Sequence, residues 1–164
     1  MLLNHIDGMN IDSSNDPLIV PLIIPFGVEA AWLTSRWDSL ERLTARFQGT
    51  MPQDFNTSVG VILSLLHKRS SWSDFQAALD QARETVASTM TRSTTESLQD
   101  AHNPMIKSHV LMDLELIYKI EMKIEAERRG FMWLLDSRLD IIGADHDDKQ
   151  YVLGIRRAAM ELMK

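Results

Sequence analysis

Residues that interrupt helices are concentrated at one end of this chain. Three of its five prolines are Pro17, Pro21 and Pro25, and only Pro52 and Pro104 follow; the seven glycines are all isolated, at positions 8, 27, 49, 60, 130, 143 and 154. Proline breaks a helix interior by removing an N–H and crowding the preceding turn, and glycine weakens it through backbone entropy. A stretch of this length with so few breakers is predicted to be mostly helical. No segment alternates with period two over enough residues to make a strand. The 164 residues amount to about one domain, with a 45% hydrophobic fraction that is enough to build a core.

Apolar spacing then places the elements. Residues 1–17 read as a tether, turn-rich from Asn10 to Pro17, and 18–25 read as an extended apolar strip, because each proline disfavours helix in its predecessor. The predicted organisation is therefore 1–25 as tether and strip and 26–164 as a helical domain. Phe26, Ala30 and Leu33 open the helical pattern, with a break at Ser35-Arg36. A second stripe, Trp37, Leu40, Leu43, Thr44 and Phe47, runs to the stop signals Gly49 and Pro52. Asp54 is placed to cap a third helix that ends near Lys68-Arg69, and Ser71 or Ser73 to cap a fourth carrying Phe75, Ala78, Leu79, Ala82 and Val86. Residues 88–103 are rich in Ser, Thr and Asn and read as a loop or weak helix. A long helix is predicted from Pro104 to about Arg129, stopped by Gly130, and a shorter one from Phe131 to Gly143. Ala144 to Lys149 reads as an acidic loop before a last helix with Val152, Ile155, Ala159 and Leu162 inward. The total is about seven helices.

An internal repeat sharpens the fold class. Trp37-Asp38-Ser39-Leu40 and Trp72-Ser73-Asp74-Phe75 lie 35 residues apart, and the same offset pairs Leu43 with Ala78 and Phe47 with Ala82. Tetratricopeptide repeats have a period of about 34 residues, each repeat a helical hairpin that buries its face only against its neighbours. The predicted class is all-α, antiparallel helical hairpins stacked as a tetratricopeptide-like α-solenoid fragment. Two unrelated hairpins with a Trp near each turn would give the same spacing. The expected structural core of the repeats is Trp32, Trp37, Leu40, Trp72, Phe75 and Leu79.

Motifs that carry chemistry are missing from this sequence. It has no Cys, so thiolate metal sites, disulfides and Cys nucleophiles are excluded. No Gly-rich phosphate loop, nucleophile elbow or helical His pair occurs. The net charge of −6 disfavours phosphate backbones. The basic pairs Lys68-Arg69, Arg128-Arg129 and Arg156-Arg157 read as solvated helix faces or as charges at helix C-termini. No stretch approaches the roughly 18 apolar residues of a membrane span. The run Asp145-His146-Asp147-Asp148 has ligand-like density without the spacing of a Ca²⁺ loop; it reads as acid at a helix N-terminus, with a small all-α hydrolase as the enzymatic alternative. No catalytic residue, cofactor, metal, nucleic acid or membrane is expected.

The segment Val28-Glu29-Ala30-Ala31-Trp32-Leu33, followed by Arg36-Trp37-Asp38 and Leu40, resembles the FAT domain of the ATR-type checkpoint kinases. Lys107 to Glu115 and Ile155-Arg156-Arg157-Ala158-Ala159 are similar to two further elements of that family, in the family's order, so the resemblance covers about residues 26–164. It implies a piece of a nuclear Ser/Thr kinase of the DNA-damage and replication-stress response. The segment would be a tetratricopeptide-like scaffold with no catalytic residues of its own, supporting kinase-domain packing, dimerisation and partner contacts. The implied partners are the remainder of the parent kinase and a regulatory subunit or a second copy. A stand-alone tetratricopeptide-like adaptor is the alternative. The final apolar stripe, with Val152, Ile155 and Leu162, is the candidate interaction face.

Overall fold

Helix formation begins earlier than the prolines suggest. A computed structural model describes residues 20–47, 54–93, 101–121, 125–143 and 145–163. Its first helix, α1, is Val20–Leu33, with Pro21 in the first turn and Pro25 inside it. The expected extended strip is therefore helical from Val20. Pro21 loses no bond there, because the first N–H groups of a helix have no intrahelical acceptor; Pro25 forfeits one, and burial of Ile24 and Val28 one turn on offsets it. The tether at 1–17 and the stop at Gly49–Pro52 lie outside the described residues.

The chain forms two compact units, residues 1–70 and 71–164. In the first, α1 is followed by α2 (Trp37–Thr44), a 3₁₀ turn (Ala45–Phe47) and α3 (Phe55–His67). In the second unit lie α4 (Trp72–Ser93), α5 (His102–Glu121), α6 (Glu125–Ile141) and α7 (His146–Leu162); among the described residues there are seven α-helices and no strand. The class is all-α, and each unit is a stack of helical hairpins.

Local chemistry explains the boundaries. Helix α1 closes in a Schellman turn: Ser35 adopts φ 55°, its N–H reaches the Trp32 carbonyl, and the Arg36 N–H bonds the Ala31 carbonyl at 2.9 Å. Helix α3 closes the same way, with Arg69 at φ 49°, its N–H on the Leu66 carbonyl, and the Ser70 N–H on the Leu65 carbonyl at 3.0 Å. Asp54 caps α3, its carboxylate accepting the Thr57 N–H at 2.8 Å. The Ser71 hydroxyl caps α4, accepting the Asp74 N–H at 3.2 Å and donating to the Asp74 carboxylate at 2.8 Å.

Three boundaries depart from expectation. The Ser/Thr-rich piece, read as a loop or weak helix, is helical up to Ser93 in α4, its residues 94–100 lie outside the described residues, and α5 begins at His102, with Pro104 still in its first turn. Gly130 does not end a helix; it sits inside α6, where a Cβ would meet nothing within 4 Å. An exposed glycine costs a helix only about 1 kcal/mol relative to Ala, too little to stop it. The acidic loop is shorter than predicted. Gly143 turns the chain at φ +92°, and Asp145 already caps α7, accepting the N–H groups of Asp147 and Asp148.

The core of the first unit forms where α1 and α3 cross. Val28, Ala31, Trp32, Leu40, Val59 and Leu63 are buried there. Gly60 permits the approach: a Cβ on it would lie 2.2 Å from Val28 Cγ1 and 3.3 Å from Leu40 Cδ1. In the second unit α5 is the central element, and α4, α6 and α7 each pack on it. The rings of Phe75 and Tyr118 stack with centroids 4.4 Å apart, which sets α4 antiparallel to α5.

Candidate functional site

Charged side chains converge in the second unit. Asp113 lies on the buried face of α5, three residues after Val110 and four before Ile117. Its Oδ1 accepts a hydrogen bond from Arg138 Nε of α6 at 2.8 Å, and its Oδ2 accepts one from Arg156 Nε of α7, also at 2.8 Å. One carboxylate therefore ties two helices to a third. Arg138 reaches further: its Nη2 lies 3.0 Å from His109 Nδ1 and 3.4 Å from the His109 carbonyl oxygen. A guanidinium only donates, so Nδ1 is the acceptor and the imidazole proton sits on Nε2. Burial, and then the charge of Arg138, hold the His109 pKa below its ordinary 6.5. Arg156 Nη2 is buried and has no hydrogen-bond partner among the described residues.

A second cluster joins α4 to α5. Glu115 accepts from Arg83 of α4 and from Lys119 one turn further along α5. Burial pushes its carboxyl up, but the bonds from Lys119 and Arg83 outweigh that and leave it below the usual 4.5. The Lys119 ammonium lies 5.6 Å from the centre of the Trp72 ring, which in turn packs on Tyr118 at 5.1 Å. In the first unit Trp37 stacks on His67 at 5.9 Å, and His67 Nδ1 meets Glu41 Oε1 at 2.8 Å. At the start of α7, Asp148 Oδ2 meets His102 Nε2 of α5 at 2.6 Å. With Asp113, this contact sets α7 parallel to α5.

These groups bond one another across helices. The carboxylates pair with arginine, lysine, histidine or capped N–H groups, and no three His, Asp or Glu converge as metal ligands among the described residues. What such an arrangement does is fix interhelical geometry. The family comparison agrees in kind: the family model described as FAT domain matches residues 24–164. The chain belongs to the FAT domain family. No solved structure matches it significantly.

Within this FAT domain the sequence-predicted residues divide. Trp32, Leu40, Phe75 and Leu79 are buried, and Trp37 is half-buried. Trp72 is 37% exposed. It opens α4 and lies at the rim of the Tyr118 cluster. The candidate interaction face is corrected as well. Val152 and Ile155 are buried where α7 lies along α5, and Leu162 is half-buried. That stripe is already spent inside the unit. Nor is Arg156 a solvated charge: it is only 5% exposed, while its neighbour Arg157 faces solvent and pairs with Glu161 at 3.3 Å. Sequence reasoning missed the Asp113 junction. The available signal was a charge standing on an apolar stripe: Asp113 between Val110 and Ile117, and Arg156 between Val152 and Ala159.

Proposed function

We propose that this FAT-family chain is a scaffold segment of an ATR-type Ser/Thr kinase of the DNA-damage and replication-stress checkpoint. It carries no reaction itself. Its helical stacks support packing of the kinase domain, dimerisation and partner contacts, and the parent protein works in the nucleus. The observation that carries this reading is the FAT match across 24–164. The ATR-type attribution is supported by the motif Glu29-Ala30-Ala31-Trp32 followed by Arg36-Trp37-Asp38 and Leu40, in which Trp32 and Leu40 are buried packing residues.

Extending the native reading frame beyond Lys164 tests the proposal. A kinase domain with its nucleotide-binding and catalytic loops is expected downstream, and the parent should accumulate in nuclei when replication is blocked. A frame that closes without a kinase domain would favour the stand-alone adaptor.

A further inference from the structure

With the α7 stripe buried, the second unit shows its apolar surface elsewhere. On α6, Trp133 and Ile141 are each 70% exposed and Leu134 is 37% exposed. At 100° per residue these three fall within one arc of about 100°, and the helix rises about 12 Å from Trp133 to Ile141. Gly130 stands one turn before Trp133 and Leu134 with open space above it. Ser137, between Trp133 and Ile141, donates its hydroxyl to the Trp133 carbonyl at 2.9 Å, so it presents no unmet polar group to an incoming apolar surface. The result is a stripe of a few hundred Å², the size at which exposed apolar surface marks an interaction site.

The border of the stripe indicates what it binds. Asp136 and Asp140 follow Trp133 by three and seven residues, so both line the Trp133 side of the arc. Both are exposed, and neither makes an ion pair among the described residues. Between Trp133 and Ile141 the one cation, Arg138, is turned inward to Asp113. A second copy of the chain, docked antiparallel on the same face, would set these acids against their own counterparts. A partner with cations beside its apolar face would meet them favourably.

We infer that the Trp133–Leu134–Ile141 face of α6 docks an amphipathic helix whose apolar stripe is flanked by lysine or arginine. The inference deepens the scaffold reading, on which it rests, by naming the surface and the chemistry of the partner. The probe is a fluorescein-labelled synthetic helix with leucines at i, i+4, i+7 and i+11 and lysines on both flanks. A matched peptide carries glutamates in place of the lysines. Fluorescence anisotropy against the full chain at physiological salt should show saturable binding of the lysine peptide. Binding should weaken by about tenfold or more with the glutamate peptide, and equally with Trp133→Ser/Ile141→Ser. Both substituted side chains are solvent-facing, so that variant should keep its fold, checked by circular dichroism. Asp136→Lys/Asp140→Lys should reverse the preference toward the glutamate peptide, which a purely structural role would not do.

Three results would overturn the inference: no saturation up to about 100 μM, binding indifferent to Trp133→Ser/Ile141→Ser, or a dimer of the chain alone that this variant abolishes. Each would remove the α6 surface and leave the scaffold reading standing. That reading falls on a different result, the absence of a downstream kinase domain.

Discussion

Asp113 illustrates how much a single residue can organise. A buried ion pair is weak evidence of stability by itself, since desolvating the charges costs about as much as their attraction returns. Removing one partner is another matter. Asp113→Ala would leave Arg138 and Arg156 close together with no anion between them, and should cost about 3–5 kcal/mol in urea denaturation. Arg157→Ala, one residue along from Arg156 but solvent-facing, should cost less than about 1 kcal/mol. His109 adds a pH dependence. Its folded-state pKa lies below the unfolded value, so its contribution is complete above about pH 6.5 and is lost as pH falls through the lower folded value. Stability should therefore decline on acidification from pH 7. His109→Gln, whose amide oxygen can still accept from Arg138, should flatten that decline relative to the parent. Trp32 belongs to the same scale: only 2% exposed, it should cost about 3–5 kcal/mol as Trp32→Ala.

Elements show what the sequence discloses and what it hides. Caps and turns are legible because their chemistry is local. Asp54, Ser71 and Gly143 do what their positions suggest, and α4 buries each residue of its apolar stripe from Phe75 to Val86. The two Schellman turns at Ser35 and Arg69 were readable only as breaks, since neither carries the glycine that usually marks such a turn. Boundaries at Pro21, Pro25 and Gly130 fall elsewhere for the opposite reason: a breaker in a first turn, as Pro21, or on an open surface, as Gly130, costs little, and at Pro25 tertiary packing outweighs the lost bond. The function of a glycine likewise depends on its neighbour in space. Gly60→Ala should destabilise by about 1–3 kcal/mol, because the new methyl group would drive into Val28 at the α1–α3 crossing. Gly130→Ala meets nothing and should stabilise by roughly 1 kcal/mol. Urea denaturation of the two variants side by side reads the contrast in sign.

For the whole molecule, composition and period were enough for the class. Sparse breakers, seven apolar stripes and a spacing near the tetratricopeptide period lead to an all-α stack, and the FAT motif around Trp32 and Trp37 leads to the family. The Asp113 junction needed coordinates, because its members are 25 and 43 residues apart and no local pattern pairs them. The same holds for the face of α6. Its exposure follows from α5 being the helix on which α4, α6 and α7 all pack, which no stripe read in isolation reveals.

In the proposed scaffold role this chain works through surfaces and held geometry, with no reaction of its own. Calorimetric titration of the full chain with Mg²⁺-ATP addresses it most directly. No saturable heat is expected up to millimolar nucleotide, since the arginines of the Asp113 junction are bonded between helices and no Gly-rich loop is present to cradle phosphates. Stoichiometric binding at micromolar concentration would contradict the scaffold reading.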